Sequence, residues 1–221
     1  MRVAFYDFDG TLVGSNVVTR YFFFARRAPG WFDRVRRSTI VVGGLPYWLW
    51  LDGRSRLLFN EIFYREYRGL SEAWLRETAE RLYDEEIRPS VYAGSRELVD
   101  SDRKEGFEPV LVTGGLDFAV GPAAKKLGFE TMLANRMIFR DGMATGELER
   151  PLLAEAGKVE AMEEFCRRYN VDTAASKAYS DSYSDAPMLE CVGRPAAVNP
   201  DRRLKALAAE RGWPVLRTKG R

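Results

Sequence analysis

Near its start the chain reads Tyr6-Asp7-Phe8-Asp9-Gly10-Thr11-Leu12, directly after the apolar residues Val3, Ala4 and Phe5. A buried strand that runs into two carboxylates predicts an open α/β sheet, because such sheets bind ligands beyond the ends of their strands. Residues two apart on a strand point to the same side, with Cα atoms roughly 7 Å apart. Two negative charges held there are costly unless a cation or a substrate proton compensates them. The strand is expected over residues 3–9, with Gly10 in the turn.

Outward from this stretch, strand and helix signals alternate as in a parallel sheet flanked by helices. Helices are expected at residues 95–105, 117–127, about 157–168 and 201–211. Strands are expected at 109–113, 131–133, 177–180 and 196–198, with an edge strand at 215–216. Residues 137–139 and 144–148 flank Asp141-Gly142, a hairpin signal. Between about Ser15 and Ile87 the rhythm stops, and the pattern turns helical and aromatic. The reading is α/β: a Rossmann-like core of residues 1–14 and 88–221, with a helical cap inserted at 15–87.

Composition narrows the chemistry. Hydrophobic residues at 46% of 221 supply a core and an appendage, and a net charge of +2 gives no reason to expect nucleic acid as partner. There is no histidine, which excludes histidine-based serine or cysteine triads and histidine-ligated zinc. Carboxylates would then supply nucleophile and proton transfer, beside a hard, oxygen-liking cation. Cys166 and Cys191 lack metal-ligand spacing, so a reducing, cytoplasmic setting is expected. The first apolar stretch is broken by Asp7 and Asp9 before a secretory signal could form. The nearest candidate for a membrane span, residues 39–51, falls short of about 18 residues and contains Gly43, Gly44 and Pro46.

Three further segments carry chemistry. Val110-Leu111-Val112-Thr113-Gly114-Gly115 ends a buried strand in a hydroxyl and two glycines, whose backbone N–H groups can approach an anion. Lys158, after Gly157, opens an amphipathic helix and could set an ammonium beside a carboxylate and a phosphate. In Tyr179-Ser180-Asp181-Ser182-Tyr183-Ser184-Asp185-Ala186-Pro187, Asp181 closes a strand and suits a metal. Asp185 occupies an N-cap position, where it could both cap the next helix and orient Lys158.

In this order the four segments resemble the haloacid dehalogenase-like hydrolase superfamily: DxDGT, a strand-ending Ser/Thr, a Lys and an acidic DxxxD pair, over residues 1 to about 200. The resemblance implies a phosphatase with Asp7 as nucleophile, forming an aspartyl-phosphate, and Asp9 as general acid and base. It implies Mg²⁺ held by the Asp7 side chain, the Asp9 carbonyl and Asp181, supported by Asp185. Thr113, Gly114 and Lys158 would bind the phosphate. A cap after the first motif is similar to the phosphoserine phosphatase-like branch, subfamily IB. That branch carries a glutamate where this chain has Asn16, and an asparagine where it has Ser184, which disfavours phosphoserine as substrate.

The inserted segment packs Tyr21-Phe22-Phe23-Phe24, Trp31-Phe32 and Tyr47-Trp48-Leu49-Trp50-Leu51 among arginines 20, 26, 27, 34, 36, 37, 54 and 56. This describes either a cap with its own aromatic core and a solvated basic face, or one that meets a membrane periphery. A lysophosphatidate-type or phosphatidylglycerophosphate-type ester then joins small-molecule phosphates as a candidate substrate. A phosphotransferase using the same intermediate, and a scaffold on a retired enzyme fold, are the competing readings.

Overall fold

Val3–Tyr6 is apolar and buried throughout, and it forms the central strand β1 of the computed structural model, which describes residues 1–219. On one side β1 pairs in parallel with β2 (Glu108–Leu116), and on the other with β6 (Lys177–Ser180). With β3 (Thr131–Asn135), β7 (Arg194–Val198) and β8 (Val215–Leu216), the parallel sheet has the order β3-β2-β1-β6-β7-β8. β4 (Met137–Arg140) and β5 (Met143–Leu148) form a separate antiparallel hairpin around Asp141-Gly142.

Alternation along the strands decides which helices cover which face. Ala4 and Tyr6 join a cluster with Leu111, while Val3 and Phe5 join another with Val110 and Val112. The second face is covered by α7 (Ala156–Tyr169), α8 (Ala186–Glu190) and α9 (Arg202–Arg211), through Met162, Phe165, Leu189 and Leu204. The first is covered by α5 (Ser95–Lys104) and α6 (Asp117–Leu127) through Val99 and Val120. Each fully buried side chain of this kind contributes roughly 1.5–3 kcal/mol. A one-residue slip would exchange the faces, so the register is strongly specified.

Residues 15–87 add no strand to this sheet. They supply α1 (Val17–Ala25), α2 (Trp31–Arg54), α3 (Arg56–Phe63) and α4 (Glu72–Leu82). Their aromatic interior is built edge to face, Tyr21 against Phe63 and Phe24 against Tyr67. That interior is continuous with the first face of the sheet. α2 runs on through Gly43, Gly44 and Pro46. Among the described residues, no helix is long and apolar enough to cross a membrane. The segment leaves and rejoins the sheet region side by side: Gly14 N–H donates to Ser90 O and Tyr92 N–H to Leu12 O.

Two strand ends that shape the site differ from expectation. β1 stops at Tyr6 instead of residue 9, because Asp7 N–H makes the last sheet bond, to Tyr179 O at 2.9 Å. The chain then turns on itself, with Leu12 and Val13 N–H both donating to Phe8 O and Gly10 at φ +83°. β2 continues to Leu116 past the expected end at 113, with a register shift between Thr113 and Leu116. Gly114 therefore lies in the sheet, where its carbonyl accepts from Tyr64 Oη and Asn135 Nδ2.

Candidate active site

Asp7, Asp9, Gly114, Lys158, Asp181 and Asp185 line one cavity of about 250 Å³ at the carboxyl ends of β1, β2 and β6. A larger cleft of about 1040 Å³ lies beside β7 and β8 and holds none of these six. Thr113 is not in the cavity wall; it is buried, and its hydroxyl accepts from Gly115 N–H at 3.0 Å.

Lys158 is the hub. Its ammonium donates to Asp7 Oδ1 at 2.6 Å and to Asp185 Oδ2 at 2.8 Å, all three side chains being buried. Burial alone would lower the lysine pKa, but Asp185 and Asp7 outweigh it and raise it. Gly157 sets the position: a Cβ there would lie 1.8 Å from the Leu152 carbonyl oxygen. Asp185 stands at the N-cap of α8 as expected, but its side chain makes no capping bond. Its carboxylate is occupied by Lys158 and by Ser180 Oγ, which donates at 2.8 Å.

The second centre is a crowded pair of acids. Burial pushes Asp7 up to about 6 despite Lys158. Asp181 is pushed up to about 8 by burial, then by Asp7 and Asp185. Thr11 Oγ1 lies 3.2 Å from Asp7 Oδ2 and 3.3 Å from Asp181 Oδ1. A Cβ on Gly10 would meet Asp181 Oδ2 at 2.0 Å, so only glycine admits that carboxylate. Two neighbouring carboxylates raised first by burial and then by nearby acids fit a divalent cation. Among the described residues no three acidic side chains are placed to hold one metal ion together, so other ligands would come from backbone, water or phosphate. Magnesium favours that donor set.

Asp9 has a different partner. Arg20 of α1 grips it with both nitrogens, at 2.5 and 2.6 Å. Arg20 is 1% exposed; burial would lower its pKa, but Asp9 outweighs that and raises it. Reading the arginines as one basic set missed this residue. The available signal was its place on the apolar stripe Val17, Tyr21, Phe24 of a helix, where a solvated arginine does not belong.

The helical side of the cavity adds Arg56 and Asn60 from α3, and Glu155 just before α7. Glu155 accepts from Arg56 N–H at 2.9 Å and so ties the loop carrying Lys158 to the start of α3. Asn60 is 1% exposed, and its Nδ2 has no hydrogen-bond partner. Asn16 is consumed locally: its side chain accepts from Val18 and Thr19 N–H and caps α1.

Comparison with known proteins agrees with this geometry. A family model described as haloacid dehalogenase-like hydrolase matches residues 4–190. A phosphoserine phosphatase of Mycobacterium tuberculosis is 32% identical over 220 residues, covering 96% of this chain and 69% of the relative. A histidinol-phosphatase of Neisseria meningitidis is 30% identical over 241 residues, covering 99% of each. A solved structure from Bordetella pertussis, of a protein of unknown function, superposes with a TM-score of 0.82 at 27% identity, covering 97% of both chains.

Proposed function

The chain belongs to the haloacid dehalogenase-like hydrolases, in their phosphoserine phosphatase-like branch, and from that premise we propose that it hydrolyses phosphate monoesters through Asp7. Residues 15–87 act as the cap and residues 1–14 and 88–221 as the catalytic core. The observation that carries this reading is the buried Asp7 carboxylate, 2.6 Å from Lys158 Nζ at the end of the central strand.

In the first half-reaction an Asp7 oxygen bonds to phosphorus as the bond to the leaving alcohol breaks, and Asp9 gives that alcohol its proton. In the second, Asp9 takes a proton from water, which attacks the aspartyl-phosphate and returns Asp7 as carboxylate with free phosphate. Lys158 and the Gly114 backbone offset charge on the transferring group, while the Thr113 hydroxyl, outside the cavity wall, holds the Gly115 N–H beside it. Mg²⁺ would be held by the side chains of Asp7 and Asp181 and the Asp9 carbonyl, with Asp185 fixing Lys158 beside them. When bound, it supplies charge neutralisation for the phosphoryl oxygens. Arg20 fixes where the Asp9 carboxylate sits, which both half-reactions need.

The alcohol end is less constrained. With Asn16 committed to capping α1, that position offers no carboxylate to an ammonium group, which supports substrates other than phosphoserine. The test is Mg²⁺-dependent phosphate release from phosphoserine, histidinol phosphate, sugar phosphates, nucleotides and short-chain lysophosphatidates, with Asp7→Asn as control. Release lost in the variant and in EDTA is expected. Release that survives Asp7→Asn overturns the assignment. Transfer to an added alcohol in place of release would make the protein a phosphotransferase.

A further inference from the structure

Helix α2 is apolar on two opposite sides. Val41, Trp48 and Leu51 face inward and are buried. Trp31, Val35, Val42, Leu45, Leu49 and Trp50 are exposed, by 41% to 75%. Of the fourteen large apolar side chains exposed among the described residues, eight lie on this one helix. The spacing from Trp31 through Val35, Val42 and Leu45 to Leu49 keeps these five on one stripe, about 27 Å long. A contiguous apolar stripe of that size marks a docking face.

The charges around it say what docks. Residues 38–51 contain no charged side chain, and arginines stand at both ends. Between residues 20 and 56 the exposed arginines are Arg26, Arg34, Arg36 and Arg54, against two aspartates, in a chain whose net charge is +2. Both aspartates, Asp33 and Asp52, are already paired with arginines. A second copy of the chain would set one arginine rim against another. An anionic bilayer satisfies both features: apolar side chains reach the acyl boundary, tryptophans sit at headgroup level, and arginines meet phosphates.

We propose that the outward face of α2 rests on an anionic phospholipid surface. Leu45 and Leu49 also wall a cavity of about 270 Å³ that reaches Asp9 and Asp181. If the phosphatase reading holds, the surface therefore lies at the mouth of the site and presents phosphate monoesters with apolar tails.

The test is sedimentation of the full chain with vesicles of phosphatidylcholine, alone or with equimolar phosphatidylglycerol. Binding is expected only to the anionic vesicles, weakening as salt rises. The double variant Val35→Glu/Val42→Glu, at two exposed positions away from both cavities, should bind about tenfold or more weakly. Its rate on a soluble aryl phosphate should match the parent; that rate tests the phosphatase reading separately. No binding to anionic vesicles overturns the proposal, as does binding that the double variant leaves intact. Self-association abolished by the same variant, without vesicle binding, would assign the stripe to a second copy instead.

Discussion

The two walls of the catalytic cavity are built on opposite principles. On the sheet wall each buried charge has a partner: Lys158 meets Asp7 and Asp185, and Ser180 completes Asp185. On the helical wall a buried donor is left open: Asn60 Nδ2 has no partner. A satisfied wall is preorganised for one reaction, whereas an open one has donors to spare for whatever the substrate brings. Chemistry common to the family is expected of the first wall, and substrate choice of the second.

The contrast can be broken by mutation. Asp7→Asn should lower turnover by about 10³-fold or more while leaving stability unchanged or raised, since burial already disfavours the charged form. Phosphate release and thermal melting of the same sample decide it. Lys158→Met should abolish most activity and also cost about 3–5 kcal/mol, because two carboxylates lose their buried partner. A variant as stable as the parent would mean that the sheet wall is not held by that charge. Arg20→Met sharpens the comparison from the other side. It should lower kcat about tenfold to a hundredfold by freeing Asp9, yet cost less stability than Lys158→Met, because Asp9 is partly solvated whereas both partners of Lys158 are buried. An effect on KM alone would remove Arg20 from the positioning of Asp9.

Two smaller effects follow. Asp7 and Asp181 stand at about 6 and about 8, above the ordinary value of 3.8. Their contribution to stability is full below that ordinary value and is lost as pH rises through the two raised values. Mg²⁺ should therefore raise the melting temperature more at pH 8 than at pH 5; equal shifts in a melting series would sink this account. Asn60→Leu should raise KM with kcat little changed, and leave stability equal or about 1 kcal/mol higher, because an unsatisfied donor is removed. Unchanged kinetics across the substrate panel would take Asn60 out of substrate reading.

Legibility in the sequence divided along the same line. The helix at Asp117–Leu127 and the strands at Lys177–Ser180 and Val215–Leu216 have the bounds that their apolar periods predict. The segments around Asp7, Lys158 and Asp181 converge because strand ends and first helical turns fix them locally. Arg56 and Asn60 come from a helix whose packing angle no local pattern specifies, so their arrival in the cavity was not readable. Asp185 stood at a cap position, but an ammonium 2.8 Å away binds a carboxylate more strongly than a backbone N–H does. The aromatic residues of 15–87 proved to be of two kinds: Phe24 and Phe63 turn inward, while Trp31 and Trp50 remain outside. Composition alone cannot tell these apart.

The point where residues 15–87 depart from the sheet has a bearing on ancestry. Val13 and Val91 bridge antiparallel, so the two ends of the excursion are already neighbours. The entropy of closing a loop grows only with the logarithm of its length, each doubling adding about 0.6 kcal/mol. The catalytic scaffold is thus almost indifferent to how much chain is threaded through that gate. Whole helical excursions could be exchanged there, giving one phosphoryl-transfer engine a succession of different customers.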